Sequence, residues 1–374
     1  GRSMSGSGRR PRAGKPERDV ASHRGNFYDP SDFYSMTDSE RQKKGRPGGV
    51  AGPGPHEAPS SGTEAARYHG ERGEGAREGF RSGFVPVVGR PNVGKSTLIN
   101  RIVGEKVSIV SDKPQTTRNR ICGVLTGPDH QVVFLDTPGI HKARDEINRY
   151  MVDVALATLE EADLVLFLVE PAERPGAGDR YVFDLLCEAK ATVLLLVNKM
   201  DRMPRAEWED CLARHRIWYP GVEAYPVSAL TGEGIPEIVD GIIRNLPEGP
   251  LYFPPDQWTD QPLRALSSEI IREKIFHLTS QEVPYSVAVE IVRFEESASD
   301  KGGLVSIEAN IHVERESQKG ILIGKGGEML KRIGSLARRE IEALVGAPVF
   351  LRLWVKVTRG WKKDPSALKR FGYG

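Results

Sequence analysis

Two stretches of this chain place a glycine before a lysine, "GRPNVGKST" from Gly89 and "GILIGKGGEM" from Gly320. The first reads Gly89-x-x-x-x-Gly94-Lys95-Ser96, between the apolar run "FVPVV" and the helical pattern "TLINRIVG". In that strand-to-helix context the glycines let backbone N–H groups close around phosphate oxygens, at the positive end of a helix. Lys95 can reach the terminal phosphates and Ser96 can offer a hydroxyl to Mg²⁺. Asn92, Val93 and Thr97 complete the loop. The second stretch fails the same test. Three residues, not four, separate Gly320 from Gly324, and Gly326 stands where a hydroxyl would be needed. What remains is Gly324-Lys325-Gly326-Gly327, a G-x-x-G that lets a backbone approach a sugar–phosphate chain closely. Alone it reads equally as a tight turn. Its surroundings strengthen the nucleic-acid reading. "EMLKRIGSLARREIEALVG" follows, with Leu330, Ile333, Ala337, Ile341 and Leu344 at helical spacing and the cations Lys331, Arg332, Arg338 and Arg339 at the positions between.

Further along, the residues indicate the kind of nucleotide. "HQVVFLDTPG" ends a strand in Asp136-Thr137-Pro138-Gly139. Asp136 can hold Mg²⁺ through water, and the Gly139 N–H can meet a γ-phosphate. "TVLLLVNKMD" ends another in Asn198-Lys199-Met200-Asp201. A carboxylate at Asp201 can accept from guanine N1–H and the 2-amino group, a pair adenine does not offer. Asn198 can support the loop, and the stem of Lys199 can cover the base. In "VSAL", Ser228, Ala229 and Leu230 close the set, with the Ala229 N–H as a donor to guanine O6. Four motifs in this order, each at a strand end, select GTP and GDP over ATP. The stretch "SDKPQTTRNRI" (111–121) can place Thr116 or Thr117 on Mg²⁺ when a γ-phosphate is present, and Thr117 is preferred. Ile140 follows Gly139, so the glutamine that orients water in Ras-like enzymes is missing and slow turnover is expected. His141 could assist water, but reads rather as an exposed loop residue.

The elements that must position these groups are legible as well. "LVLFLVE", "TVLLLVN" and "EAYPVS" read as buried strands separated by helical segments, as in a doubly wound α/β sheet that is mostly parallel. "ICGVLTGPDHQVVFLD" reads as a hairpin, so one strand runs antiparallel. "VFLRLWVKV" alternates like a half-buried strand after the basic helix.

Composition bounds the alternatives. The 374 residues suggest two or three domains. Three cysteines with no C-x-x-C spacing argue against a disulfide framework or zinc ribbon and fit a reducing cytosol. The longest apolar runs fall far short of the roughly 18 residues a membrane span needs. No basic-then-apolar leader opens the chain, and the residues ahead of Met4 read as a vector remnant. Net charge is +2 overall, but residues 315–374 carry +9 and residues 1–80 carry +3, which leaves −10 for 81–314. An acidic body with a basic end suits a polyanionic partner. Residues 1–80 contain 15 Gly and 7 Pro, and no Leu or Ile. They are expected to be disordered. The aromatic-rich "NFYDPSDFYSMTDSERQKK" within them reads as part of that tail, with a partner-binding segment as the alternative.

Taken together, "GRPNVGKSTLINR", "KPQTTRNRI", "DTPGIHK", "NKMD", "VSAL" and "SQKGILIGKGGEMLKRIG" resemble the Era family of bacterial GTPases over about residues 82–374. The ending "LWVKVTRGWKKDPSALKRFGY" is similar to the family's as well. The resemblance implies a P-loop GTPase domain (81–247), a linker (248–262) and a small α+β type II KH domain (263–374) that binds small-subunit ribosomal RNA near its 3′ end during ribosome assembly. It implies that "ILIG" ends a short helix. Asn92 matches a position that coordinates K⁺ in related potassium-stimulated GTPases, so K⁺ is a candidate cofactor beside Mg²⁺. Cytoplasmic location and the small ribosomal subunit as partner are expected, and peripheral membrane contact stays open. Two other readings remain. One is a signalling switch whose C-terminal domain binds a protein. The other, a GTP-dependent RNA-modifying enzyme, is disfavoured because residues 248–374 contain no cysteine and only His277 and His312.

Overall fold

The computed structural model describes residues 79–373, apart from 112, 114, 115, 141–145, 189, 190 and 298–302. The expected disorder of the N-terminal extension and the reading of His141 lie outside the described residues.

Six strands form the first sheet, in the order β2-β3-β1-β4-β5-β6. β1 (Arg81–Val88), β4 (Leu164–Val169), β5 (Thr192–Val197) and β6 (Glu223–Pro226) run parallel to one another and to β3 (His130–Asp136). Only β2 (Ile121–Thr126) is antiparallel, as half of the expected hairpin with β3. β4 is buried along its whole length, which is why its sequence is an unbroken apolar run rather than an alternation. Helices α1 (Lys95–Val103), α2 (Glu146–Glu160), α3 (Ala177–Cys187), α4 (Trp208–Trp218) and α5 (Ile235–Asn245) cover the two faces. The core is correspondingly split in two, one cluster including Leu98, Ile99 and Ile238 and the other Phe167, Val182 and Leu212.

The connector behaves differently from a free tether. Its prolines suggest an extended run, but it turns at Pro254, where Gln257 N donates to Pro254 O at 3.0 Å, and it lies along the β2–β3 edge. The amide oxygen of Gln131 accepts from the N–H groups of Tyr252 and Phe253 at 2.8 and 2.9 Å, and its amide nitrogen donates to Phe253 O at 2.9 Å. Val124 N donates to Trp258 O at 2.9 Å, and Thr259 Oγ1 donates to Cys122 O at 2.6 Å. Phe253 is buried beside Phe84 and Leu135.

Beyond it, α6 (Leu263–Leu278), β7 (Ala288–Ser297), β8 (Leu304–Val313), α7 (Glu316–Ile323), α8 (Glu328–Val345) and β9 (Val349–Val357) make a second, three-stranded sheet with helices on one face. β8 pairs antiparallel with β7 and parallel with β9. Ile333, Ala337 and Ile341 of α8 pack into this core with Ile271, Ile275, Ile307 and Ile311, while Leu330 and Leu344 sit at its margin. A short helix, α9 (Pro365–Arg370), follows and is capped by Asp364. Its segment buries Trp361, Leu368, Phe371 and Tyr373 against Ala288 of β7 and Met151 of α2, so it bridges the two bodies.

Between the bodies lies a buried ionic cluster. Lys106 Nζ is 2.6 Å from Glu273 Oε2 and also pairs with Glu340, and Lys274 bonds the same two carboxylates. Burial alone would raise the Glu273 carboxyl, but the ammonium groups of Lys106 and Lys274 outweigh it and hold it well below the usual carboxylate range.

Candidate functional site

At the carboxyl ends of β1, β3, β5 and β6 the chain encloses a cavity of about 370 Å³. Open parallel sheets bind ligands at these strand ends. Pro91 to Thr97, Thr116, Thr117, Gly139, Asn198 to Arg202 and Ala229–Leu230 surround it, with Val93 and Met200 turned into the core instead. Gly89 is needed because a Cβ there would stand 2.4 Å from Leu168 O, and its φ of 153° lies in a region side chains avoid.

Lys95 opens α1 and is only 6% exposed. Its Nζ donates to Gly89 O at 3.3 Å and to Arg90 O at 3.1 Å, so the ammonium is held inside its own loop. Burial pulls its pKa down to about 8, and the nearby Asp136 only partly opposes this. Asp136 is fully buried at the end of β3, and burial pushes its carboxyl up while the Ser96 and Thr117 hydroxyls pull it down. Ser96 Oγ donates to Asp136 Oδ2 at 2.7 Å, Thr117 Oγ1 donates to the same oxygen at 3.1 Å, and the two hydroxyls are 3.0 Å apart. Three oxygens from three segments thus converge, and Asp136 Oδ1, buried, has no hydrogen-bond partner. Such an orphaned carboxylate oxygen fits a hard cation and its water shell. Thr116 is not part of this group, because its hydroxyl donates to Lys113 O at 2.7 Å.

At the base end, Asn198 Nδ2 donates to Val93 O at 2.7 Å, which ties β5 to the phosphate loop. Lys199 Nζ donates to Asn92 O at 2.6 Å and pairs with Glu170. Asn92 itself has a left-handed φ of 67°. Ser228 Oγ donates to Asp201 Oδ1 at 2.6 Å, fixing the carboxylate at the cavity's mouth. One expectation needs qualifying. Ala229 N donates to Asn198 Oδ1 at 2.9 Å, so a guanine O6 would have to share that amide. Ile140, where a water-orienting glutamine is absent, is buried in the core and donates its N–H to Gly89 O at 3.3 Å.

The second glycine stretch sits elsewhere. Gly324 ends α7, Lys325–Gly327 form one tight turn, and α8 begins at Glu328. A Cβ on Gly326 or Gly327 would meet nothing within 4 Å. Lys325, Gly326, Lys331 and Arg332 are all exposed, so the turn and the start of α8 present cations outward. Among the described residues no cluster of metal-ligating side chains appears in this half.

Several contacts are absent from the motif reading. Arg101 donates to the carbonyls of Ala229 and Leu230, bracing the base end from α1. Arg118 and Arg272 join the 111–121 segment to the second body, across more than 150 residues of sequence. No local spacing signals them.

Comparison with known proteins agrees with this arrangement. Residues 84–199 match the family described as 50S ribosome-binding GTPase, and residues 282–362 match the KH domain family. GTPase Era of Geobacter metallireducens is 54% identical over 294 residues, covering 79% of this chain and 98% of that protein. GTPase Era of Geotalea uraniireducens shows the same identity and coverage. A solved Era structure in complex with MgGDPNP and nucleotides 1506–1542 of 16S ribosomal RNA superposes with a TM-score of 0.75 at 41% identity, covering 79% of this chain and 99% of that one. An Aquifex aeolicus Era variant bound to GDP and AlF₄⁻ gives the same TM-score and identity and is covered in full. With its ordered GTPase motifs, a KH domain and this extent of likeness, the chain belongs to the Era family of GTPases.

Proposed function

We propose that this GTPase binds 16S ribosomal RNA near its 3′ end through the Gly324–Gly327 turn and the start of α8, and acts in assembly of the small ribosomal subunit. The observation that carries this reading is an exposed, cation-flanked G-x-x-G turn on a domain joined to a guanine-nucleotide site, in a chain that superposes over most of its length on an Era–16S complex. The GTPase-domain description names the 50S subunit, but it covers only residues 84–199. The RNA-facing half lies outside that match, so the 16S complex is the better guide to it. On this reading the GTPase domain spans 81–247, the connector 248–262 and the KH domain 263–374.

In the site, Ser96, Thr117 and Asp136 would hold Mg²⁺, whose charge offsets that of the β- and γ-phosphates. Lys95 and the N–H groups of 89–97 bind the phosphates, and the Gly139 N–H meets the terminal one. Asp201 accepts from the guanine edge, Ser228 fixes that carboxylate, and Asn198 and Lys199 hold the base end to the phosphate loop. With Ile140 in place of the water-orienting glutamine, intrinsic hydrolysis is slow. A monovalent cation at Asn92 would add charge at the transition state. Equal rates in KCl and NaCl at matched ionic strength would remove it. The three cysteines are free thiols, in keeping with a cytosolic protein. Among the described residues no helix is long and apolar enough to cross a membrane. Peripheral membrane contact is a weaker expectation with no residue assigned to it.

Crosslinking the protein to RNA in cells and sequencing the recovered fragments tests the proposal. Enrichment at the 16S 3′ end is expected. Recovery of protein partners without RNA would favour a signalling switch instead.

A further inference from the structure

The backbone on either side of Thr117 is held by the other domain. Val110 N donates to Glu273 Oε1 of α6 at 3.0 Å, and His277 Nε2, also on α6, donates to Val110 O at 2.9 Å. Lys113 Nζ donates to the Phe276 and Thr279 carbonyls at the end of that helix. Nearer the site, Arg272 of α6 donates to Thr116 O. On the far side, Arg118 Nη1 donates to Val287 O at 2.7 Å and to the Tyr373 hydroxyl at 3.2 Å. Its guanidinium lies 5.5 Å from the Tyr373 ring and 5.9 Å from that of Trp361.

The chemistry of this clamp is specific. The Thr116 carbonyl belongs to the planar peptide unit that ends at Thr117 N. A donor fixed on that carbonyl therefore fixes the plane from which the Thr117 side chain departs. Arg272 is 1% exposed, and Glu269 balances its charge through Nε at 2.9 Å and a second bond at Nη2. A buried guanidinium held by a carboxylate is a rigid donor, because its own position is over-determined. The Thr117 hydroxyl turns toward Ser96 and Asp136.

We propose that Arg272, a residue of the RNA-binding domain, is a positioning residue for GTP hydrolysis in the other domain. It acts by holding the Thr116–Thr117 peptide so that the Thr117 hydroxyl faces the cation site. The inference rests on the role of Thr117 proposed above. GDP lacks the γ-phosphate that this part of the site serves, so the clamp bears on turnover, not on the base or the β-phosphate.

The test is steady-state hydrolysis with the full-length chain, together with GDP affinity measured by titration. Arg272→Met should lower kcat about tenfold while KM and the GDP Kd stay within about twofold. Arg272→Lys, which keeps a donor, should recover part of the loss. Lys113→Met touches a half-buried side chain at the end of the same clamp and should lower kcat two- to threefold, so it carries the test if Arg272→Met does not fold. Thr117→Ala is the control. If Thr117→Ala lowers kcat and neither clamp variant does, the positioning role is wrong and the cation reading stands. If Thr117→Ala leaves kcat unchanged, both fall. A matching loss of kcat and GDP affinity in Arg272→Met would mean a structural role and would overturn the inference.

Discussion

The two glycine turns of this chain use the same residue types for opposite physical ends. At Gly89–Ser96 the turn is concave and internal. Its lysine is buried, its glycine is pressed against a neighbouring strand's carbonyl, and Asn198 braces it from β5. At Gly324–Gly327 the turn is convex and open, with space around Gly326 and an exposed lysine. A small polyanion is bound by a preformed, partly desolvated cradle, where few charges are worth much. A polymer needs an accessible edge instead, where many weakly held cations add up and salt screens them.

Substituting one glycine in each turn gives the widest contrast. Gly89→Ala drives a Cβ into the Leu168 carbonyl at a φ that alanine tolerates poorly, which should cost about 2–4 kcal/mol of stability. Gly326→Asp meets no neighbour, and at a φ of 61° aspartate is among the less strained choices, so the fold should lose about 1 kcal/mol or less. On the proposed reading, its new side chain and charge stand where RNA phosphates would approach. RNA affinity should fall about a thousandfold, to the non-specific level, with GTP affinity unchanged. Thermal melts and parallel titrations of RNA and nucleotide check both halves. Intact RNA binding in Gly326→Asp would move the interface away from this turn.

A prediction at the base end asks whether the cradle reads its ligand. Hydrogen bonds to a charged acceptor contribute about 1.5–3 kcal/mol, so Asp201→Asn should weaken GTP about a hundredfold, because an amide cannot accept both guanine donors. ATP affinity, low from the start, should barely move. Calorimetry on both proteins decides it, and equal GTP and ATP affinity in the parent chain would end the guanine assignment.

How far the sequence foretold this depends on how local each feature is. The phosphate loop, the guanine motifs and the G-x-x-G turn are short runs whose chemistry needs neighbours a few residues apart, and all lie where their spacing places them. Thr116 and Thr117 could not be separated by spacing with certainty, since adjacent residues differ only in which way the backbone turns them. The fold sends Thr117 inward and closes the Thr116 hydroxyl on Lys113 O. The connector's packing was hidden because Gln131 and Thr259 carry no signal of a partner more than 100 residues away. Arg118 and Arg272 carry no such signal either, yet each is buried between the domains.

Those buried arginines tie the domain of one turn to the domain of the other. On the proposed role of Thr117 the γ-phosphate would order it, and Thr117 is flanked by bonds to α6, to Val287 just ahead of β7 and to the C-terminal segment. RNA should bind the GTP form more tightly than the GDP form by about 1–2 kcal/mol, and RNA must then favour GTP over GDP by the same factor. Titrating labelled RNA against protein loaded with GDP or a non-hydrolysable GTP analogue measures it. Identical affinities would reduce the chain to two modules that share an interface without communicating.

The smallest expected effect separates the two lysine environments most directly. Burial lowers the Lys95 pKa to about 8 in the free protein, against 10.5 for an ordinary lysine. Between those values the folded chain binds fewer protons than the unfolded one, so this group makes the fold more stable as pH rises. Phosphate oxygens around the ammonium reverse the balance by favouring its charged form. Nucleotide binding at pH 8.5 should therefore take up a fraction of one proton, and affinity should decline as pH rises further. Calorimetry in two buffers of different ionisation enthalpy reads that uptake, and Lys95→Met should abolish it. RNA binding should show the opposite sensitivity, varying little over the same pH range but falling steeply with salt. Neutralising Lys331 or Arg332 singly should reduce the slope of log K against log salt by up to about 1. A nucleotide site with no proton uptake and the salt dependence of the RNA site would mean that Lys95 is solvated like Lys325, and the contrast between the cradle and the edge would fail.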